Sequence, residues 1–374
     1  MAYKKCYDIN KTNFDFYQII FDNFIEHNGE FMGNIGELML YSKPNNLIAF
    51  KIYPCIEDKD TQSVINFFNS YSFFHAMEPF FTLPMKGIPL CVIYLKDNRL
   101  ALCLSCDPSV IVLDPSNDFH VDLKIPGKKY DYANSIAEME NGNIVSVTND
   151  KSIYVYSITK DSYKIELIIE KAHNKTINKV IVLPNNIIAT CSSVKIKLWD
   201  MSTYLKKEPI RTLEGNVKRG FFSLMYFKPK NYLISGGLKE EDLYIWNLET
   251  YQCVSVFKGV EGYYENNLYQ LDDARIVAGG VYVFNIVNLN IMTIEETVNV
   301  KELDCYIVSC FLQLRDGSLL CGTSTGDFIL YNLTTKMKVR IQTIHSNLIT
   351  DIKKINDYSF YTTSSNVKFF MWKY

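Results

Sequence analysis

No stretch of this sequence approaches the roughly 20 consecutive apolar residues that a membrane-spanning helix needs, so insertion into a bilayer is not expected. A charge excess is missing too: 39 Lys and Arg against 41 Asp and Glu leave a net charge of −2. Phosphate affinity comes mainly from Lys and Arg, so general nucleic-acid binding is not expected. The opening residues, Met1-Ala2-Tyr3-Lys4-Lys5-Cys6-Tyr7-Asp8, lack the apolar core of a signal peptide. The 10 cysteines are scattered and mostly strand-borne, which reads as buried free thiols in a reducing, cytoplasmic setting, with the nucleus left open. Without a secretory route, the glycosylation triplets beginning at Asn10, Asn174 and Asn332 are chance matches.

Signatures of chemistry are missing as well. There is no phosphate-cradling Gly-x-x-x-x-Gly-Lys-Ser/Thr loop and no Gly-x-Gly-x-x-Gly leading into a helix. No Gly-x-Ser-x-Gly elbow occurs. Cys103 and Cys106 form a Cys-x-x-Cys, but no second Cys or His pair completes a four-ligand zinc site. Glu138, Glu140, Glu240, Glu241 and Asp242 read as solvated turn residues. No catalytic residue, metal or cofactor is expected, and the chain is not read as an enzyme.

What is present is a core-forming composition, 48% hydrophobic and 21% charged, organised in a repeat. Its plainest copy is Asn186-Ile187-Ile188-Ala189-Thr190-Cys191-Ser192-Ser193-Val194-Lys195-Ile196-Lys197-Leu198-Trp199-Asp200. Two short strands flank a tight turn, the first ending in small residues, the second alternating apolar with polar. From about Phe80 the phrase returns seven times. The third strand of each copy ends at Leu113-Asp114, Tyr156-Ser157, Trp199-Asp200, Trp246-Asn247, Phe284-Asn285, Tyr331-Asn332 and Trp372-Lys373. The spacing averages about 43 residues, inside the roughly 40–45 of one propeller repeat class and short of the roughly 50 of kelch.

On these residues the chain resembles the WD-repeat family. The resemblance covers about four fifths of the sequence and implies an all-β fold, a seven-bladed WD-like β-propeller with a small N-terminal α+β extension. In that family a His before the first strand, a Ser or Thr on the second, an Asp in the next turn and the Trp of the third strand form a network that staples each blade. His173, Thr190, Trp199 and Asp200 fit the third copy, with Ser192-Ser193 where the turn Asp would stand. His345, Thr362 or Thr363, and Trp372 fit the last. Trp246 stands in the fourth without an obvious His, and Asp150 fits the second-copy turn with Tyr156 for Trp.

The propeller is expected over 78–374. The sequence stops at Tyr374, just after a third strand, so Phe80-Phe81-Thr82-Leu83 is the expected outer strand of the last blade. Residues 1–77 read as the extension, packed on the propeller. Phe14, Tyr17, Phe21, Phe24 and Ile25 have helical spacing, as do Val64, Phe67, Phe68, Tyr71 and Phe74, and a hairpin is expected over 37–53.

The resemblance implies a protein-interaction scaffold that takes a protein or peptide on the face bearing the loops that lead into each first strand. Candidate binding residues in those loops are Lys128, Lys129, Tyr130, Tyr132, Lys218, Arg219, Tyr263, Tyr264 and Tyr306, since Tyr and Arg dominate interface energetics. Two other functions stay open: a substrate-recognition adaptor of a ubiquitin ligase (or an effector mimicking one), suggested by the aromatic N-terminal segment, and a propeller enzyme with a channel-mouth site.

Overall fold

The computed structural model describes residues 38–42, 46–52, 79, 81–128, 131–193, 195–215, 220–237, 242–260, 266–271 and 274–373. Seven antiparallel sheets follow one another along the chain. Blades 1 to 6 cover 89–125, 133–169, 177–214, 221–257, 268–299 and 308–341, each with four strands in chain order. Blade 7 takes three strands from 349–373 and its outer strand from Phe81–Pro84. Phe81 lies opposite Met371 and Leu83 opposite Phe369. Each inner strand packs against the next and the seventh against the first, so the ring closes.

Radial stacking explains why the sequence repeats. A small sheet has two apolar faces and cannot bury both alone. Here the core lies between blades. Trp199 of blade 3 packs with Val145, Val147 and Val155 of blade 2. Trp246 of blade 4 lies among Ala189, Ile196 and Leu198 of blade 3. Trp372 of blade 7 stacks edge-on against Phe328 of blade 6 at 5.6 Å. The small residues ending the second strands allow this approach: a Cβ on Gly279 would come 2.3 Å from the Val308 carbonyl oxygen of the next blade.

Near the axis the inner strands are laced together. A bulged residue on one donates to a backbone carbonyl of the next: Asn134 to Ile177 (2.9 Å), Asn178 to Phe221 (2.8 Å) and Ser309 to Ile349 (2.5 Å).

The Asp or Asn closing most third strands also has a physical cause. Its side-chain oxygen accepts the backbone N–H two residues on and shapes the turn into the outer strand. Asp114 accepts from Ser116, Asp200 from Ser202, Asn247 from Glu249 and Asn332 from Thr334, at 2.7–2.9 Å.

The expected pair in blade 5 needs correction. Its third strand is Val283–Asn288, so Phe284-Asn285 lies near its start. Ile276 faces Val287 as Leu233 faces Trp246 in blade 4. The equivalent pair is Val287-Asn288, and Asn288 accepts from Asn290 N (2.8 Å). The expectation of buried thiols also needs qualification: Cys106 and Cys253 are exposed, while Cys91, Cys103, Cys191, Cys305, Cys310 and Cys321 are buried.

Ahead of the propeller, Leu38–Ser42 and Asn46–Ile52 form an antiparallel hairpin. Its second strand adds to the outer strand of blade 6, Phe50 opposite Ile341 and Ile52 opposite Val339, making a six-stranded sheet. The two helices expected around 14–25 and 60–74 lie outside the described residues.

Candidate protein-interaction face

The internal network decides how rigidly each blade presents its loops. In blade 3, Trp199 Nε1 donates to Thr190 Oγ1 (2.9 Å), and His173 Nε2 lies 2.8 Å from the same oxygen. His173 Nδ1 reaches Ser192 Oγ at 2.9 Å, so a hydroxyl serves where the family turn has Asp. In blade 7, Trp372 Nε1 donates to Thr362 Oγ1 and His345 Nε2 meets the same oxygen, both at 2.7 Å. Thr363 pairs with Thr350 instead, at 2.7 Å. Burial holds both imidazoles far below their usual range, to about 3, so they are neutral at physiological pH.

The other blades thin this network out. Trp246 donates to Ser235 (2.8 Å) in blade 4, and Ser146 to the Tyr156 hydroxyl (3.5 Å) in blade 2. At the position of Thr190, blades 1, 5 and 6 carry Leu102, Ala278 and Cys321. Blade 6 compensates in its turn. Buried Asp327 accepts from Arg340 Nε (2.8 Å) and Nη2 (2.5 Å), while Arg340 Nη1 donates to the Leu303 carbonyl (2.9 Å). Asp327 stands two positions beyond the family turn Asp, a place that Thr325 takes in blade 6 as Asp150 does in blade 2.

The loops leading into the inner strands share one face with the turns between second and third strands. On blade 2, Lys128 lies 3.3 Å from Asp150 and 3.5 Å from Glu170, with its ammonium 5.8 Å from the Tyr154 ring centre. Asp131 accepts from Asp150 N (2.8 Å). Burial raises the Asp131 pKa. Burial also opposes ionisation of Asp150, but bonds from Thr148, Ser152 and Lys128 outweigh it and hold that carboxyl below its usual range. Tyr132 is half-buried, its carbonyl accepting from Asn149 N. Lys128 is thus tied to the turns of blade 2. Lys129, Tyr130, Lys218, Arg219, Tyr263 and Tyr264 lie outside the described residues.

Blades 5 and 6 bring two tyrosines together on this face. Tyr306 (42% exposed) and Tyr282 (37% exposed) meet edge-to-face with ring centres 4.9 Å apart. Tyr282 N donates to the Tyr306 carbonyl (2.7 Å), and Lys301 lies 5.7 Å over the Tyr282 ring. Tyr282 adopts φ +63°, a left-handed conformation that costs a non-glycine residue about 1–2 kcal/mol. Tyr282 is not among the candidates drawn from the sequence, which came only from the lead-in loops, whereas Tyr282 lies in the turn before Val283–Asn288.

Elsewhere several polar side chains join blades or turns. Near the axis, Lys179 donates to Asn266 (2.8 Å), which donates to the Thr350 carbonyl (3.2 Å), joining blades 3, 5 and 7. Asp351 pairs with Lys353 at 3.2 Å. On the opposite face, a cleft between blades 1 and 2 contains Arg99, whose guanidinium is taken by Asp97 (2.7 Å) and the Thr159 carbonyl (3.2 Å). Among the described residues, no three His, Cys, Asp or Glu side chains form a group able to hold a metal. No described helix is long and apolar enough to cross a membrane.

The radial sheets and the shared Trp–Thr–His bonding in blades 3 and 7 agree with what sequence comparison finds. No family model matches the chain. A 142-residue segment is 25% identical to the WD repeat-containing protein 55 homolog of Dictyostelium discoideum, covering 37% of this chain and 33% of that protein. Segments of 114 and 108 residues are each 28% identical to nuclear distribution protein PAC1 of Candida tropicalis and Candida albicans. These cover 30% and 28% of this chain, and 22% and 21% of those proteins. The chain is a divergent WD-repeat propeller. This propeller matches only about a fifth to a third of the length of those curated relatives.

Proposed function

We propose that this WD-repeat propeller is a non-catalytic scaffold that binds a protein or peptide segment on its lead-in-loop face. The observation that carries the reading is the Tyr282–Tyr306 pair. Both rings are partly open to solvent, and one backbone hydrogen bond fixes their spacing. The left-handed backbone of Tyr282 belongs to the turn between second and third strands, where Lys151 and Val367 adopt the same conformation in blades 2 and 7, so the fold itself holds this ring in place. Tyrosine offers a large, rigid, amphipathic contact at low entropic cost. Lys301 over the Tyr282 ring adds a positive charge beside the pair.

Affinity capture from the native cell tests this reading. Tyr282→Ala/Tyr306→Ala is compared with the unaltered chain after both give matching thermal unfolding. Partners lost only from the variant support it. Identical partner sets would remove the pair from the binding surface.

A further inference from the structure

The outer strands of blades 1, 2, 4 and 5 each hold one residue more than the third strand beside them. That extra, bulged residue is Asp122, Glu166, Val254 and Glu295 respectively. Three blades thus place a carboxylate on the outer strand, and each is held there. Asp122 lies 3.9 Å from Arg99, Glu166 accepts from Ser157 (2.8 Å), and Glu295 accepts from Asn288 (2.5 Å). A bulge with a charge is a standard defence of a free sheet edge, because an added strand would have to bury that charge.

The remaining edges are guarded in other ways. Blade 3 ends in Arg211–Glu214, charged at both ends, and blade 7 in Phe81–Pro84, closed by proline. Blade 6 ends in Lys338–Ile341 and is covered by the strand Asn46–Ile52. Blade 4 breaks the pattern. Its outer strand, Cys253–Phe257, reads Cys-Val-Ser-Val-Phe, with neither charge nor proline. Val254 is 45% and Val256 39% exposed, while Phe257 is buried against blade 5 and anchors the strand.

We propose that the outer edge of blade 4 is a strand-addition site for an extended, uncharged partner segment carrying β-branched or other apolar residues at alternate positions. Main-chain hydrogen bonds supply the affinity in this mode, and the side chains at every second position supply the choice. A charge on the incoming strand would be set against the apolar side chains of Val254 and Val256. The same molecule already uses the mode on blade 6, where Phe50, Lys51 and Ile52 pair with the outer strand.

The test uses the full chain and fluorescence anisotropy of a labelled peptide with three valine–threonine repeats between terminal lysines. A second peptide replaces threonine with glutamate. Saturable binding of the first is expected, at least tenfold weaker for the second. Val254→Glu, which restores the acid of the other blades, should weaken binding at least tenfold, and Val256→Lys should do the same. Ile165→Glu on the blade 2 edge should leave it unchanged. Tyr306→Ala should also leave it unchanged, which separates this site from the lead-in-loop face. Thermal unfolding verifies that each variant folds. No binding to the unaltered chain, or equal binding by Val254→Glu, overturns the proposal. Sedimentation showing a dimer that Val254→Glu dissociates would assign the edge to a second copy and overturn it as well.

Discussion

Thr190 and Thr362 each serve two buried groups, an indole N–H and an imidazole nitrogen, through a single hydroxyl. Removing that oxygen while keeping the shape leaves both groups unpaired, and a buried unpaired polar group costs about 1–3 kcal/mol. Thr190→Val should therefore lower stability by about 2–4 kcal/mol in urea denaturation. The same change at Thr363, which bonds one partly exposed threonine, should cost about 1 kcal/mol. The imidazoles add a pH dependence. Burial depresses each from 6.5 to about 3, so between those values the unfolded chain binds more protons than the folded one. Their contribution is complete above about pH 6.5 and is lost as pH falls towards 3, on the order of a few kcal/mol. Urea midpoints from pH 7 to 4 should fall steeply, and His345→Gln should flatten part of that slope.

At the scale of the element, blade 6 shows how a turn can replace the missing network. Asp327 and Arg340 join the turn, the outer strand and the lead-in loop. Removing one partner of a largely buried pair strands the other charge. Arg340→Met should cost about 2–4 kcal/mol by denaturation, and adding Asp327→Asn should recover part of it. Elements with strong local patterns were legible in the sequence: small residues mark where second strands end, and an aromatic followed by Asp or Asn marks where the third strands of blades 3, 4 and 6 turn. Blade 5 defeated that reading because Phe284-Asn285 imitates the marker while Val287-Asn288, without an aromatic, occupies its place. The acidic bulges were illegible for another reason: a residue becomes the extra one only when two strands pair. Asp327 was equally hidden, since its partner Arg340 lies a strand away.

For the whole molecule, closure rests on Phe81–Pro84 completing blade 7. A chain shortened to begin at residue 86 leaves that blade open. Phe369 loses its strand neighbour Leu83, and Phe119 of blade 1 loses the Phe81 ring stacked on it at 4.0 Å. The shortened chain should unfold at a lower temperature and over a broader range, by calorimetry, since blade-to-blade interfaces carry the cooperativity. An unchanged, equally sharp transition would show that this strand is dispensable. A closed ring gives the molecule two distinct faces, and partner binding is proposed for one. Tyr306 stands on the lead-in-loop face, while Tyr358, 62% exposed, stands on a turn of the opposite face. The most direct test places a photo-crosslinking amino acid at each position in the native cell. Discrete adducts through position 306 and none through 358 are predicted; adducts through 358 alone, or through both alike, would contradict the assignment.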